Sequence, residues 1–329
     1  MKILAAVLAS LALLLALGAA LTWIVSRVIE ARYPPRGRFV AVEVGRLHMI
    51  EAGPPDRPPL GTIVLLHGAS GSAAEPFLAL GEKLSGRYRV LAVDRPGHGW
   101  SDRIAGDAAA SPVRQAALIA EGLRALGVSR AVIVAHSLAG SIAPNLALDH
   151  GDVTGGLALL APVTHPWPGA GVSWYYGPAT SALGWLFTRT LTTPLGLALM
   201  GPAVTGVFAP QAPPPGYIDA AQVPLVLRPR TFQANAADVA GLYAAVSAQA
   251  GRYRDIRVPT IVISGGADPI VWTDLHSRAL EREILGAKLV VLPGVGHMPH
   301  HVAPDVIAGE IEALAARIGR AQESRAATP

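Results

Sequence analysis

The apolar residues of this chain first occur as one unbroken block. Ile3 to Val25 is a run of 23 residues without a charge, and a helix of that length spans roughly 34 Å, against ~30 Å for a bilayer core. Trp23 near its end, then Arg27 and Tyr33-Pro34-Pro35, mark an interfacial boundary. Residues 1–30 are therefore predicted to be a transmembrane anchor. A cleaved signal peptide, with Leu17-Gly18-Ala19-Ala20 near the cut, is the alternative, but a signal core is typically ~7–15 residues. Lys2 alone precedes the run, and Arg27, Arg32, Arg36 and Arg38 follow it. That bias favours a cytoplasmic domain, yet a single signal-anchor also exports domains, so the side stays open.

Beyond the anchor the pattern changes to short segments. Phe39 to Ala52 alternates apolar and polar residues about Gly45-Arg46, which predicts an antiparallel hairpin. Continuous apolar runs ending in Gly/Pro loops follow at Thr62–Gly71 and Tyr88–Asp102, and further runs at Ala131–His136 and Gly156–Leu160. Between them lies a helix with Ser111 as N-cap, Pro112 at its first position and Gly127 as stop. Pro144 falls in the helix after His136 and is expected to kink it. Strands separated by helices specify a mostly parallel sheet with helices on both faces, an α/β fold.

The alternation stops at Thr164. Residues 164–255 carry Trp167, Trp174 and Trp185, a QAPPPG break at Gln211–Gly216 and short apolar stretches. This is predicted to be an inserted helical cap between two parts of the core, residues 31–163 and 256–329. Strands resume in Pro259–Val271 and Ala287–His300, and a last helix places Ile307, Ile311, Leu314 and Ile318 on one face.

Composition removes several function classes. With no cysteine in 329 residues, disulfides, thiolate metal sites and cysteine catalysis are excluded. The net charge of +4 comes from scattered arginines, and Arg252, Arg254 and Arg257 form the clearest cluster. It is too sparse for a nucleic-acid stripe, so no nucleic-acid partner is expected. The oligomeric state is left open.

The candidate chemistry centres on VIVAHSLAG, Val132 to Gly140. A β-branched run ends in His136-Ser137 and continues into small residues suited to a helix. A serine at a strand-to-helix elbow stands clear of the sheet, at a helix N-terminus whose free N–H groups face developing negative charge. The G-x-S-x-G pattern appears here as Ala135-His136-Ser137-Leu138-Ala139, with Gly140 one place on. Such a serine needs a base and an orienting acid, and in a parallel sheet these lie just after strands. Asp268 follows TIVISGGA and His297 follows LVVLPGVG, giving the order Ser, Asp, His. Asp274, His300 and His301 are weaker rivals, lying further into the next elements. Leu138 offers one oxyanion N–H. The loop His67-Gly68-Ala69 offers the other from Ala69, with Ser70 as second choice.

The ordered set HGASG, DRPGHGWSD, AHSLAG, GGADPIV and GVGHMPH resembles the α/β-hydrolase fold family, in its serine-nucleophile branch with a cap after the sixth strand. The resemblance implies Ser137 as nucleophile, Asp268 as orienting acid, His297 as base, and Ala69 and Leu138 as oxyanion donors. It also implies that Asp94, Arg95, Gly97 and Gly99 shape a loop beside the site. Serine at the elbow, where relatives acting on epoxides or halides carry aspartate, favours acyl transfer to water. The expected activity is hydrolysis of small-molecule carboxylic esters, with hydrophobic acyl groups favoured by the apolar cap and the anchor. No cofactor and no metal are expected. Carbon–carbon bond, lactone or amide hydrolysis, acyl transfer to another alcohol, and a non-catalytic membrane-tethered binding module are the alternatives.

Overall fold

Eight strands pair into a single sheet in the computed structural model, which describes residues 1–103, 107–169 and 176–326. The hairpin predicted around Gly45 is β1 (Arg38–Val42) and β2 (Gly45–Ala52), and Gly45 takes a φ of 95° at the turn. Then come β3 (Thr62–Leu66), α2 (Ala74–Ser85), β4 (Arg89–Val93), α3 (Pro112–Ala125), β5 (Ala131–His136), α4 (Ala143–Asp149) and β6 (Thr154–Leu160), after α1 (Lys2–Arg32) at the N-terminus. The spatial order is β1-β2-β4-β3-β5-β6-β7-β8, with β7 at Thr260–Gly265 and β8 at Lys288–Leu292. β1, β2 and β4 pair antiparallel, and every other neighbour pair is parallel.

The central strands are apolar throughout because both faces are covered. Successive side chains alternate between the faces: Ile133, Ala135, Leu157 and Leu159 meet α3 and α4 residues such as Ile119 and Leu146. Val132, Val134, Ala158 and Leu160 meet Leu80 of α2 and the terminal helix. That helix, Pro304–Ala326, buries Ile307, Ile311, Leu314 and Ile318 as its periodicity predicts.

Between β6 and β7 the chain forms α5 (Gly177–Thr180), α6 (Gly184–Thr190), α7 (Thr192–Phe208), α8 (Tyr217–Ala220) and α9 (Pro229–Gln249). After β7 come α10 (Ser277–Glu283) and, after β8, α11 (Pro299–Val302) and α12 (Pro304–Ala326). Trp167 packs edge-on against Tyr243, whereas Trp185 is 61% exposed and joins no buried apolar cluster among the described residues. Trp174 lies outside the described residues. α1 is long and apolar enough to cross a membrane, and it packs against α6 and α7.

One local expectation is corrected. Pro144 does not kink a helix, because α4 begins at Ala143 and places the proline in its first turn. There the missing N–H has no intrahelical partner to lose. Residues Ser137–Ser141 before it form a 3₁₀ turn.

Candidate active site

β5 delivers Ser137 into a sharp turn. Its φ is 52°, a region that side-chain-bearing residues occupy at a cost of about 1–3 kcal/mol and that clusters at functional sites. Its carbonyl accepts from the N–H of Val163, just past β6, and this pins the turn to the neighbouring strand end. The crowding of the elbow falls one residue later than the G-x-S-x-G pattern places it. A Cβ on Gly140 would lie 2.5 Å from Pro162 Cβ. Ala135 and Ala139 are fully buried and accommodated, so glycine is required at 140 and not at 139. On the other side, a Cβ on Gly68 would lie 3.0 Å from Ser137 Cβ.

The structure brings Ser137, Asp268 and His297 together although 29 and 160 residues separate the partners of each contact. Asp268 Oδ1 accepts the N–H groups of Ile270 and Val271 at 2.8 and 3.0 Å, which fixes the carboxylate. Its Oδ2 lies 2.8 Å from His297 Nδ1. A carboxylate oxygen accepts, so Nδ1 carries the proton, and Nε2 is left to accept from Ser137 Oγ at 2.9 Å. Both Asp268 and His297 are buried. The loops that carry them touch: a Cβ on Gly265 would lie 2.1 Å from the carbonyl oxygen of Gly296.

Ala69 and Leu138 line the same cavity as Ser137 and His297. Among the described residues, no hydrogen bond outside helices and strands uses either N–H. The second-choice donor fares differently: Ser70 N–H donates to Asn235 Oδ1 at 2.7 Å and is committed there. The rivals for the acid and base are occupied elsewhere. Asp274 pairs with Arg278 on the surface. His300 and His301 both donate from Nε2 to Glu75 Oε1, at 2.6 and 2.8 Å.

Glu75, in the first turn of α2, carries no local sequence signal. Burial alone would raise its carboxyl, but His300 and His301 outweigh this and hold it well below the usual range. The three residues bring ligand-type atoms within 4.8 Å of one another, a set that suits a divalent metal in principle. The two N–H bonds already satisfy the carboxylate oxygen. His136, beside the nucleophile, lies between His297 and His300 with tilted rings whose centroids are 4.9 and 4.5 Å from its own. It donates from Nε2 to the carbonyl of His297 at 2.9 Å, and burial holds it neutral, well below its ordinary value. Gln211, in the proline-rich break, donates to Gly294 O and accepts from Gly296 N–H, so it braces the loop before His297.

The loop after β4 is built as the resemblance implies. Asp94 accepts from the N–H groups of Ala73 and Trp100 and from His48 Nδ1. A Cβ on Gly99 would strike its carboxylate at 2.1 Å. Arg95 is fully buried; burial lowers its guanidinium from the usual value, and Asp238 opposes this from 2.8 Å.

A cavity of about 820 Å³ opens on this constellation. Its wall is largely apolar, with Leu195, Leu199, Met200, Val204 and Phe208 from α7, and among the described residues no lysine or arginine lines it.

The model of the alpha/beta hydrolase family matches residues 63–310. This chain belongs to the alpha/beta hydrolase family. Among curated relatives it is 35% identical over 130 residues to the magnesium-chelatase 30 kDa subunit of Rhodobacter capsulatus, covering 37% of this chain and 42% of that one. It is 30% identical over 121 residues to the 2-hydroxy-6-oxo-6-phenylhexa-2,4-dienoate hydrolase of Burkholderia cepacia, covering 36% and 40%. The matched region thus spans less than half the length of either relative. Among solved structures, a thermophilic esterase from Thermogutta terrifontis superposes with a TM-score of 0.67 at 21% identity, covering 86% of this chain and 98% of that chain. A bacterial membrane phospholipase A gives 0.66 at 21% identity, covering 97% and 99%. These two likenesses show the shared hydrolase fold.

Proposed function

We propose that this alpha/beta hydrolase is a serine esterase for carboxylic esters with apolar acyl groups, tethered to a membrane by α1. The observation that carries this reading is the hydrogen-bonded line from Ser137 Oγ through His297 to Asp268, at 2.9 and 2.8 Å. In the proposed reaction Ser137 Oγ attacks the ester carbonyl as His297 Nε2 takes its proton. Asp268 holds the tautomer and balances the imidazolium. The N–H groups of Ala69 and Leu138 receive the oxyanion. Collapse expels the alcohol, which takes the proton back from His297, and leaves an acyl-serine. Water then repeats the sequence and releases the acid.

The cavity supports an apolar acyl group. A substrate bearing a carboxylate, such as the dienoate in the Burkholderia cepacia enzyme's name, calls for a cation in the wall, and this wall offers none among the described residues. α1 supports the membrane reading. Leu195 and Leu199 line the cavity and are each 48% exposed on α7, which packs against α1. The chamber wall therefore adjoins the proposed anchor.

The test is hydrolysis of p-nitrophenyl esters of graded chain length by the full chain in detergent. The reading expects kcat/KM to rise from acetate to at least the octanoate. A maximum at acetate overturns the apolar-acyl assignment.

A further inference from the structure

Of the two peptide units that flank Ala69, the second is tied directly to α9, and the first is held by Arg95, which α9 grips, together with a 2.8 Å bond from His67 Nδ1 to the Gly68 carbonyl. The Gly68 carbonyl accepts from Arg95 Nη2, and the His67 carbonyl from Arg95 Nε, each at 3.1 Å. Arg95 in turn is gripped by Asp238 of α9 through Nη1 at 2.8 Å. On the other side of Ala69, the Ser70 N–H donates to Asn235 Oδ1 at 2.7 Å. Asn235 Nδ2 lies 3.1 Å from Ser70 Oγ and 3.1 Å from Tyr176 Oη. Asn235 and Asp238 are three apart, share a helix face, and are 0% and 2% exposed. Asp238 also accepts from Arg103 Nη1 at 2.9 Å.

The consequence follows from peptide planarity. In a trans peptide the C=O and the following N–H point in opposite directions from one rigid plane. Holding the Gly68 carbonyl on Arg95 and His67 Nδ1 therefore fixes the direction of the Ala69 N–H. Tying down the Ser70 N–H fixes the next plane as well. Ser70 sits at a φ of 58°, so the loop is held in a conformation it would not keep unaided.

We propose that Asn235 and Asp238, on the helical insertion, are positioning residues that aim the Ala69 N–H at the oxyanion, Asp238 acting through Arg95. The inserted segment then does more than enclose the acyl chain: its docking completes the oxyanion site, and its withdrawal disassembles it. This rests on the esterase reading, in which the Ala69 N–H is an oxyanion donor.

The experiment compares Asn235→Ala and Asp238→Asn with the unsubstituted chain, after circular dichroism and thermal unfolding establish that each is folded. Asn235→Ser replaces the alanine variant if that one does not fold. Removing an oxyanion donor costs about 100- to 1000-fold in kcat, and mis-aiming one costs on the order of 10- to 100-fold. We expect such a fall in kcat with KM changed less than about threefold. Affinity for an alkyl trifluoromethyl ketone, which forms a charged tetrahedral adduct, should fall by a similar factor. Binding of the ester itself, measured in a Ser137→Ala background, should stay within about threefold. Asn235→Asp, which keeps the acceptor for Ser70 N–H, should recover most of kcat. Unchanged kcat, or equal losses in ester and ketone binding, overturns the proposal. Wild-type protein that neither hydrolyses esters nor binds the ketone refutes the underlying esterase reading instead.

Discussion

The imidazole of His136 donates from Nε2 to the main-chain carbonyl of His297 at 2.9 Å. The residue before the proposed nucleophile thus holds the backbone of the proposed base. Two loops from β5 and β8, distant in sequence, are locked by a neutral histidine that burial keeps from protonating. His136→Ala is expected to loosen His297, and it also removes one side chain that lines the cavity. A fall in kcat of about tenfold or more, with KM within about threefold, is the predicted result. Steady-state kinetics on a soluble ester decide it, and an unchanged kcat removes His136 from the account.

The tight passage at Gly140 yields a stability prediction. A Cβ there would lie 2.5 Å from Pro162 Cβ and 2.9 Å from Val163 N. Gly140→Ala therefore overpacks the turn and should destabilise the fold by about 1–3 kcal/mol. It should also lower ester turnover, because Val163 N–H fastens Ser137 O. Urea unfolding measures the first effect, and a midpoint equal to wild type argues that the turn relaxes freely.

His276 sets a pH dependence. Its Nδ1 accepts the N–H groups of both Thr164 and His165, at 3.2 and 3.1 Å, so a proton there would face two donors. Burial, followed by the nearby His165, lowers its pKa to about 4. In the unfolded chain the ordinary value of ~6.5 applies. The unfolded state therefore binds the proton more tightly, and stability present above pH ~6.5 drains away as pH falls towards 4. Full loss amounts to about 3 kcal/mol. His276→Asn supplies an uncharged acceptor and should reduce the slope of the stability profile between pH 7 and 4.5, leaving the part contributed by other buried histidines such as His136. An unaltered slope in urea titrations contradicts this.

The cavity predicts a change in specificity. Val204 of α7 lines it, buried beside Phe208 and Tyr217. Val204→Phe fills space that a long acyl chain would use. Hydrolysis of decanoate esters should drop at least tenfold in kcat/KM, with acetate within about threefold. Equal effects on both chain lengths would place the acyl chain elsewhere.

The parts of this molecule that the sequence made legible are those whose signals are local. The parallel strands announce themselves as apolar runs, and Ser137, Asp268 and His297 each follow the end of such a strand within five residues. Parallel topology then carries them to one rim. What stayed hidden depends on partners distant in the chain. Asn235 and Asp238 look like ordinary polar positions of a helix, because Ser70 and Arg95 lie 165 and 143 residues away. Glu75 is a first-turn carboxylate like many others, and only the fold brings His300 and His301 onto it. The position of Pro144 is hidden for a different reason: small apolar residues continue across the 3₁₀ turn Ser137–Ser141 and the helix Ala143–Asp149 alike, so the sequence does not mark where the helix begins.

The central claim is that Ser137 is a nucleophile activated by His297. Its most direct test is labelling with an alkyl fluorophosphonate, followed by peptide mass spectrometry, on wild type and on Ser137→Ala and Asp268→Asn. The account predicts one adduct on the peptide containing Ser137, none in Ser137→Ala, and labelling slowed by as much as about 10⁴-fold in Asp268→Asn, where the imidazole loses its orienting partner. An unlabelled wild type, or an adduct that persists in folded Ser137→Ala, contradicts it.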